Sequence, residues 1–285
     1  MINFLHLPVS PRAGALHIAV SQKQKMAENK PLITIIVAVL NSKESLKRCI
    51  ESINNQTYSY RELIIIDGGS TDGTVDVLKA NNGRITYWES NADRGIAHAW
   101  NKAVKKARGE WLCFLGADDR LAGDDVLERF IPYLMDALSE NIRVVYGKVV
   151  RTDSKERPLK TVGRPWSEVS WLMKHGMAVP HPGLMHHSSL FRDHGPFDES
   201  YHVALDYEFL LRELPKHRAL FAEDILAVYQ RCGGISDDSP LSALGETRRA
   251  RRKHNIRTFL PIWSLVAIRA GLRHFLRRFS SKHSR

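Results

Sequence analysis

Residues 33–40, ITIIVAVL, open a pattern that returns at 63–73, LIIIDGGSTDG, and at 111–119, WLCFLGADD. Each stretch begins with an apolar run, the first two rich in β-branched residues, as expected of a strand buried on both faces. Each then breaks into a polar cluster: Asn41 after the first, Asp67 to Asp72 after the second, Asp118-Asp119 after the third. Between them, apolar residues recur at helical spacing. Leu46, Cys49, Ile50 and Ile53 mark one helix, with Asn41 its expected N-cap, and Val75 and Leu78 mark another. Ile96, Ala99, Trp100, Ala103, Val104 and Ala107 mark a third, stopped by Gly109. Ile85–Glu89 reads as a short strand, Val126–Leu138 as a helix and Ile142–Val150 as a strand. This alternation predicts an α/β fold, a mostly parallel central sheet flanked by helices. In such sheets ligands bind beyond the carboxyl ends of the strands, where the polar clusters fall.

The second half has weaker periodicity. Arg151–Pro165 reads as a loop or hairpin, Trp166–Met177 as helical and His181–Phe191 as a strand region. Asp206–Leu214 has helical spacing, and Phe221–Tyr229 reads as a strand.

Charge divides the chain more sharply. Residues 247–285 hold twelve of the 42 Lys/Arg and none of the 31 Asp/Glu, so the rest is close to neutral. That excludes a globally basic nucleic-acid binder and points to a local contact with something anionic. Cys49, Cys113 and Cys232 are far apart and odd in number, which argues against a disulfide framework and for a reducing, cytoplasmic setting. No apolar run reaches the roughly 20 residues that span a bilayer. The first 25 residues lack a basic segment ahead of an apolar one, and Pro8 and Pro11 interrupt them, so no signal peptide is expected.

Three acidic groups can carry chemistry. Two adjacent carboxylates, Asp118-Asp119, repel each other unless a cation is present, and oxygen ligands suit Mg²⁺ or Mn²⁺ bridged to phosphates. As residues alone they also fit helix-start acids. In Asp67–Asp72, Gly68 and Gly69 permit positive φ and close backbone approach, while Ser70 and Thr71 can cap the next helix. A carboxylate there suits a nucleobase or ribose, and the segment equally fits an ordinary turn. Asp206 and Glu208 open a helix, as a general base or as acids favoured by the helix dipole. The histidines at 181, 186 and 187 match no metalloprotease spacing, and His181 reads as polar loop or acceptor-side material. Neither a GxGxxG fingerprint nor a Walker A loop is present.

Taken in order, four blocks carry a resemblance: ITIIVAVLN (33–41) with SINNQTYSYRELIIIDGGSTDGT (52–74), DRGIAHAWNKAVKKARGEWLCFLGADD (93–119), FDESYHVALDYEFLLR (197–212) and GGIS (233–236). Together they resemble family 2 glycosyltransferases of the GT-A fold, the kind found in bacterial polysaccharide assembly. The resemblance implies a GT-A domain over 31–246, and residues 1–30 ahead of it read as a poorly ordered extension. That domain divides into a nucleotide-sugar half (31–120) and an acceptor half (121–246), followed by a basic amphipathic tail over 247–285. It implies that Asn41, Asp67 and Gly69 line the nucleotide pocket, with Asp67 accepting from the base. It places Asp93, Gly95 and Asn101 on the diphosphate and sugar side, Asp118 toward the ribose or sugar, Asp119 on the metal, and Asp206 as the base. Three positions depart from the pattern: Leu40 where many relatives have an aromatic residue, Leu205 where the usual acidic pair has Glu, and Ala117-Asp118-Asp119 in place of Asp-x-Asp.

The implied reaction is inverting transfer from a nucleoside diphosphate sugar, UDP favoured, to a sugar or lipid-linked acceptor. A sugar-nucleotide pyrophosphorylase would want a Gly-rich basic signature near the first strand, which is missing here, and the retained acids argue against an inactive binding module. The apolar stretch Phe259–Ile268 between Arg clusters fits an interfacial helix on an anionic membrane, a helix docked on the body being the competing reading. The expected location is the inner face of the cell membrane, held peripherally, with no nucleic-acid partner.

Overall fold

A computed structural model describes residues 30–233 and 239–256. Four parallel strands, β1 (Ile33–Val39), β2 (Arg61–Asp67), β3 (Tyr87–Ser90) and β4 (Trp111–Gly116), lie in the order β3-β2-β1-β4. Their register sets Val39 opposite Asp67, Ala38 opposite Gly116 and Asp67 opposite Ser90. The strands therefore end nearly level, and the polar clusters that follow them share one edge.

Helices α1 (Lys43–Asn54), α2 (Thr74–Ala80), α3 (Ile96–Lys106) and α4 (Val126–Ser139) cover the two faces. Ile33, Ile35, Val37 and Val39 pack in one layer with Leu46, Cys49, Ile50 and Ile53 of α1 and Phe130 of α4. Ile36 points to the other, with Ala99, Trp100 and Ala103 of α3. Both sides of β1 are covered, which is why its sequence is apolar without alternation. Phe114 of β4 is 1% exposed and meets Trp100 at 4.8 Å and Phe197 at 5.3 Å between ring centroids. Phe114→Ala is expected to cost about 3–5 kcal/mol. Denaturant unfolding checks this, and a loss under about 1 kcal/mol would contradict this packing.

The second half adds β5 (Arg120–Leu121), β6 (Val144–Thr152), β7 (Pro158–Val162), β8 (Met185–His187) and β9 (Leu220–Arg231). β8 joins the sheet antiparallel to β4 and β6, and β9 runs parallel to β6. The 151–165 region is a hairpin, with β7 antiparallel to β6 and an irregularity at Arg151/Thr152. β5, two residues long, was not expected; it ties the end of the Asp118-Asp119 turn to β9. Helical segments are α5 (Trp166–Val169), a 3-10 turn (Ser170–Lys174), α6 (Ser189–His194), α7 (Leu205–Leu210) and α8 (Pro240–Lys253). The expected strand region 181–191 yields only the three residues of β8 before α6 begins. α8 runs across the composition change at 246–247. No helix among the described residues is long and apolar enough to cross a membrane. Residues 1–29, Gly234 to Ser236 of the fourth block and the apolar stretch Phe259–Ile268 lie outside the described residues.

Candidate active site

The loops after β1 and β2 are welded together. Asn41 sits at φ 48, a left-handed conformation that Asn tolerates better than most residues. Its Oδ1 accepts from Thr71 N at 2.9 Å, and its own N–H donates to Ser70 Oγ at 2.7 Å. Asn41 is therefore not the N-cap of α1. That position falls to Ser42, because the Asn41 side chain is committed to the neighbouring loop. Lys43 N donates to Asp72 Oδ2 at 3.0 Å, and Thr74 N to Asp72 Oδ1 at 3.0 Å. The hydrogen bond from Thr74 Oγ1 leads the contacts that hold the Asp72 carboxyl below its usual range. The capping expected of Ser70 and Thr71 is thus performed by Asp72, and the N-cap of α2 is Gly73.

Asp67 is 0% exposed. Gly69 N at 3.1 Å, Ser70 N at 2.9 Å and Ser90 Oγ at 2.6 Å all donate to Oδ2, and Ser70 Oγ donates to Oδ1. Four donors match the lone-pair capacity of a carboxylate. In this structure Asp67 is buried and both its oxygens are engaged in shaping the glycine loop. Gly69 has φ +88 and a Cβ there would lie 3.2 Å from Ala92 N, so the turn needs glycine. The same approach brings in the loop after β3: a Cβ on Gly68 would lie 3.0 Å from Asp93 Oδ2. Asp93 Oδ1 accepts from Gly95 N at 2.8 Å, at the start of α3. Since α1 and α3 both begin where parallel strands end, their positive dipole ends face the edge that an anionic diphosphate would approach.

At the end of β4 the acidic pair splits. Asp118 is exposed and Asp119 is 5% exposed. Both lean over Gly116, where a Cβ would lie 2.9 Å from Asp118 Oδ1 and 3.1 Å from Asp119 Oδ2. Asp119 Oδ1 accepts from Arg231 N at 3.1 Å, at the end of β9. Burial, and then the Asp118 charge, push the Asp119 carboxyl up to about 8 against the pull of the Arg231 and Gly116 N–H groups. Two convergent carboxylates, one of them desolvated, form a cradle that a divalent cation fits. Among the described residues no group of three or more His, Cys, Asp or Glu side chains gathers to hold a metal. A small cleft here is lined by Asp118, Asp119, Arg48, Arg120 and Arg231 among others. A larger groove of about 570 Å³, between Trp166, Trp171, Leu211 and Ile256, contains none of these groups.

The segment 197–206 packs against the Asp93–Gly95 loop. Arg94 pairs with Glu199 at 2.5 Å, and a Cβ on Gly95 would lie 3.9 Å from His202 Nδ1. Asn101 is 6% exposed: its Nδ2 donates to Phe197 O at 2.9 Å, and its Oδ1 accepts from Phe197 N at 2.9 Å. It anchors this segment to α3. Asp206, in the first turn of α7, is partly buried and its Oδ1 accepts from Tyr207 N at 2.7 Å. Burial pushes its carboxyl up to about 6; the Tyr207 N–H opposes this and the Glu246 charge adds to it.

His181 belongs elsewhere. It is 7% exposed and stacks on Trp100 at 5.2 Å and Phe114 at 5.8 Å, and burial pushes its pKa down to about 3. It is held neutral within the aromatic core. Sequence reasoning missed Ser90, Arg231 and Glu246. The one available signal was for Glu246, the last acidic residue before a wholly basic segment.

A model of the glycosyl transferase family 2 domain matches residues 34–192. A PGL/p-HBAD biosynthesis glycosyltransferase of Mycobacterium tuberculosis is 32% identical over 212 residues, 73% of this chain and 80% of that protein. The solved structure of S. aureus TarS 1–349 in complex with UDP-GlcNAc is similar with a TM-score of 0.59 and 15% identity, over 85% of this chain and 72% of that one. The mannosyltransferase PcManGT from Pyrobaculum calidifontis, solved with GDP-Man and Mn²⁺, gives 0.56 and 15% identity over 91% and 88%. At such identities the two structures speak for a shared GT-A-type fold. The family match spans more than half of the chain and the Mycobacterium relative is matched along most of its length, so the chain belongs to glycosyl transferase family 2 and is a glycosyltransferase.

Proposed function

We propose that the chain transfers a sugar, with inversion, from a nucleoside diphosphate sugar to an acceptor hydroxyl in the assembly of a cell-surface polysaccharide or lipid-linked oligosaccharide. The observation that carries this is the convergence of Asp118 and Asp119 over Gly116, on the strand edge that also bears the glycine loop after β2. Asn41, Gly69 and the loop fixed by Asp67 border the nucleotide. Asp93 and Gly95 border the diphosphate, and Asp118 faces the ribose or sugar. Asp119 would hold a Mg²⁺ or Mn²⁺ ion, which would supply countercharge to the departing diphosphate. Asp206 takes the proton from the acceptor oxygen as that oxygen attacks the anomeric carbon. Its raised pKa supports this role, because a base near neutrality is better matched to a hydroxyl than an ordinary carboxylate. The solved neighbours, one in complex with UDP-GlcNAc and one with GDP-Man and Mn²⁺, support a nucleotide-sugar donor and a divalent ion, UDP being the first choice.

We also propose a peripheral position on an anionic membrane surface at the inner face of the cell membrane. The exposed Arg248 and Arg252 of α8, leading into further Arg residues, support it.

A panel of sugar nucleotides assayed for release of nucleoside diphosphate tests the activity. Release from one donor class, stopped by EDTA and restored by Mn²⁺ or Mg²⁺, with an inverted anomeric product, is the expected result. No release from any donor, or release indifferent to EDTA, would contradict it.

A further inference from the structure

α8 is clamped to the segment that carries Asp206. Lys253 Nζ meets Asp198 Oδ2 at 2.8 Å and Glu208 Oε1 at 2.9 Å, and His254 Nε2 meets the same Glu208 oxygen at 2.9 Å. Arg249 lies 3.8 Å over the Tyr201 ring and donates to Ser200 O at 2.6 Å. These contacts join the last turn of α8 to residues 198–208. They leave open how the backbone immediately before Asp206 is held.

That task falls to Glu246, the single acidic residue of α8. Its carboxylate accepts from three consecutive backbone N–H groups. His202 N donates to Oε1 at 3.0 Å and Oε2 at 3.1 Å, Val203 N to Oε2 at 2.8 Å, and Ala204 N to Oε2 at 2.9 Å. Ala204 is the N-cap of α7 and has no side chain able to cap. N–H groups at a helix start need acceptors, and a charged acceptor is about twice as strong as a neutral one. The carboxylate thus reaches across from another helix, 42 residues away in sequence from Ala204. Burial raises the Glu246 carboxyl, but the three N–H groups outweigh it and hold its pKa below the usual value. It is therefore ionised and lends its charge to the surroundings of Asp206, two residues beyond the clamped backbone.

We propose that Glu246 is a positioning residue for the transfer reaction: by gathering the 202–204 backbone it fixes where α7 presents Asp206, and it ties that presentation to the docking of α8. The inference rests on the reading of Asp206 as the base. The charges that bear on the pair are Glu246 on Asp206 and Arg249 on Glu246, with His202 on the loop between them.

The test uses the full chain with Glu246→Gln and Glu246→Ala, beside Asp206→Asn. Nucleoside diphosphate release from the donor found in the panel is measured as kcat and KM across pH, and UDP binding with Mn²⁺ is titrated separately. Glu246→Ala is expected to lower kcat about 10–100-fold, the scale of a misplaced reacting group. UDP affinity should stay within about twofold of wild type, since the hydrogen bonds that hold the donor loops to one another do not involve Glu246. The acid limb of the pH profile should move to lower pH, since a negative charge beside Asp206 is gone. Glu246→Gln keeps an acceptor oxygen, so it should recover part of the rate while keeping the displaced limb. If Glu246→Ala does not fold, Glu246→Gln carries the test through its limb. A residue that merely supports the fold would lower kcat and UDP binding together and leave the limb in place, and that outcome overturns the proposal. So does wild-type kcat with a wild-type limb in both variants while Asp206→Asn is inactive. Retained turnover in Asp206→Asn would instead remove the base reading on which the proposal stands.

Discussion

Asp206→Asn is expected to lower kcat by about 10²–10⁴-fold, the range for loss of a positioned general base. Asparagine preserves the shape of the side chain but cannot take a proton from the acceptor. Nucleotide binding should be unchanged, because the donor loops after β1, β2 and β3 hold one another through Asn41, Asp67, Asp72 and Asp93 without help from α7. The wild-type pH profile carries the sign. As the proposed base Asp206 would work as a carboxylate, and burial with the Glu246 charge pushes its pKa up to about 6. Activity should therefore be present above pH 6 and fall about tenfold per unit as pH drops below it. An acid limb near 4, or a kcat within about threefold of wild type in the asparagine variant, would show that another group takes the proton.

Asp119→Asn is expected to be as damaging by a different route. It should cost several kcal/mol of transition-state stabilisation, a fall of about 10²–10⁴-fold in turnover, by removing the buried half of the carboxylate cradle. Excess Mn²⁺ should not restore it. In the wild type the buried Asp119 carboxyl, pushed up to about 8, is protonated below that pH, and a cation must displace the proton. Mn²⁺ affinity should thus weaken toward tenfold per unit as pH falls below 8. Calorimetry in buffers of different ionisation enthalpy would register the released proton. A pH-independent Mn²⁺ affinity would contradict the assignment of Asp119.

The parts of the fold that were legible are those where one physical cause dominates. The runs 33–40 and 63–66 are almost wholly apolar because helices cover both faces of the parallel strands, and the polar residues that end them had to lie at one edge. β5 was invisible because two residues, Arg120 and Leu121, have no periodicity; pairing with β9 makes them a strand. β8 was blurred by the histidines at 186 and 187, one buried against Phe114 and the other turned toward Glu110, which look polar in sequence.

In the site, motif residues were easier to find than to assign. Asp67, Asn101 and His181 all sit near the expected places in the chain, yet each is spent on neighbours: Asp67 on its own loop, Asn101 on Phe197, His181 on an aromatic stack. Burial and partners decide such roles, and neither is written in local sequence. Glu246 shows the converse. Its partners lie more than 40 residues away, so no local pattern could pair it with α7.

The most direct measurement is a crystal of the protein with Mn²⁺ and UDP, examined by anomalous scattering. One Mn²⁺ peak within about 2.0–2.3 Å of an Asp119 oxygen and of both phosphates, with Asp206 across the same cleft, is the predicted result. A peak remote from Asp119, or Asp206 opening onto a separate surface, would contradict it.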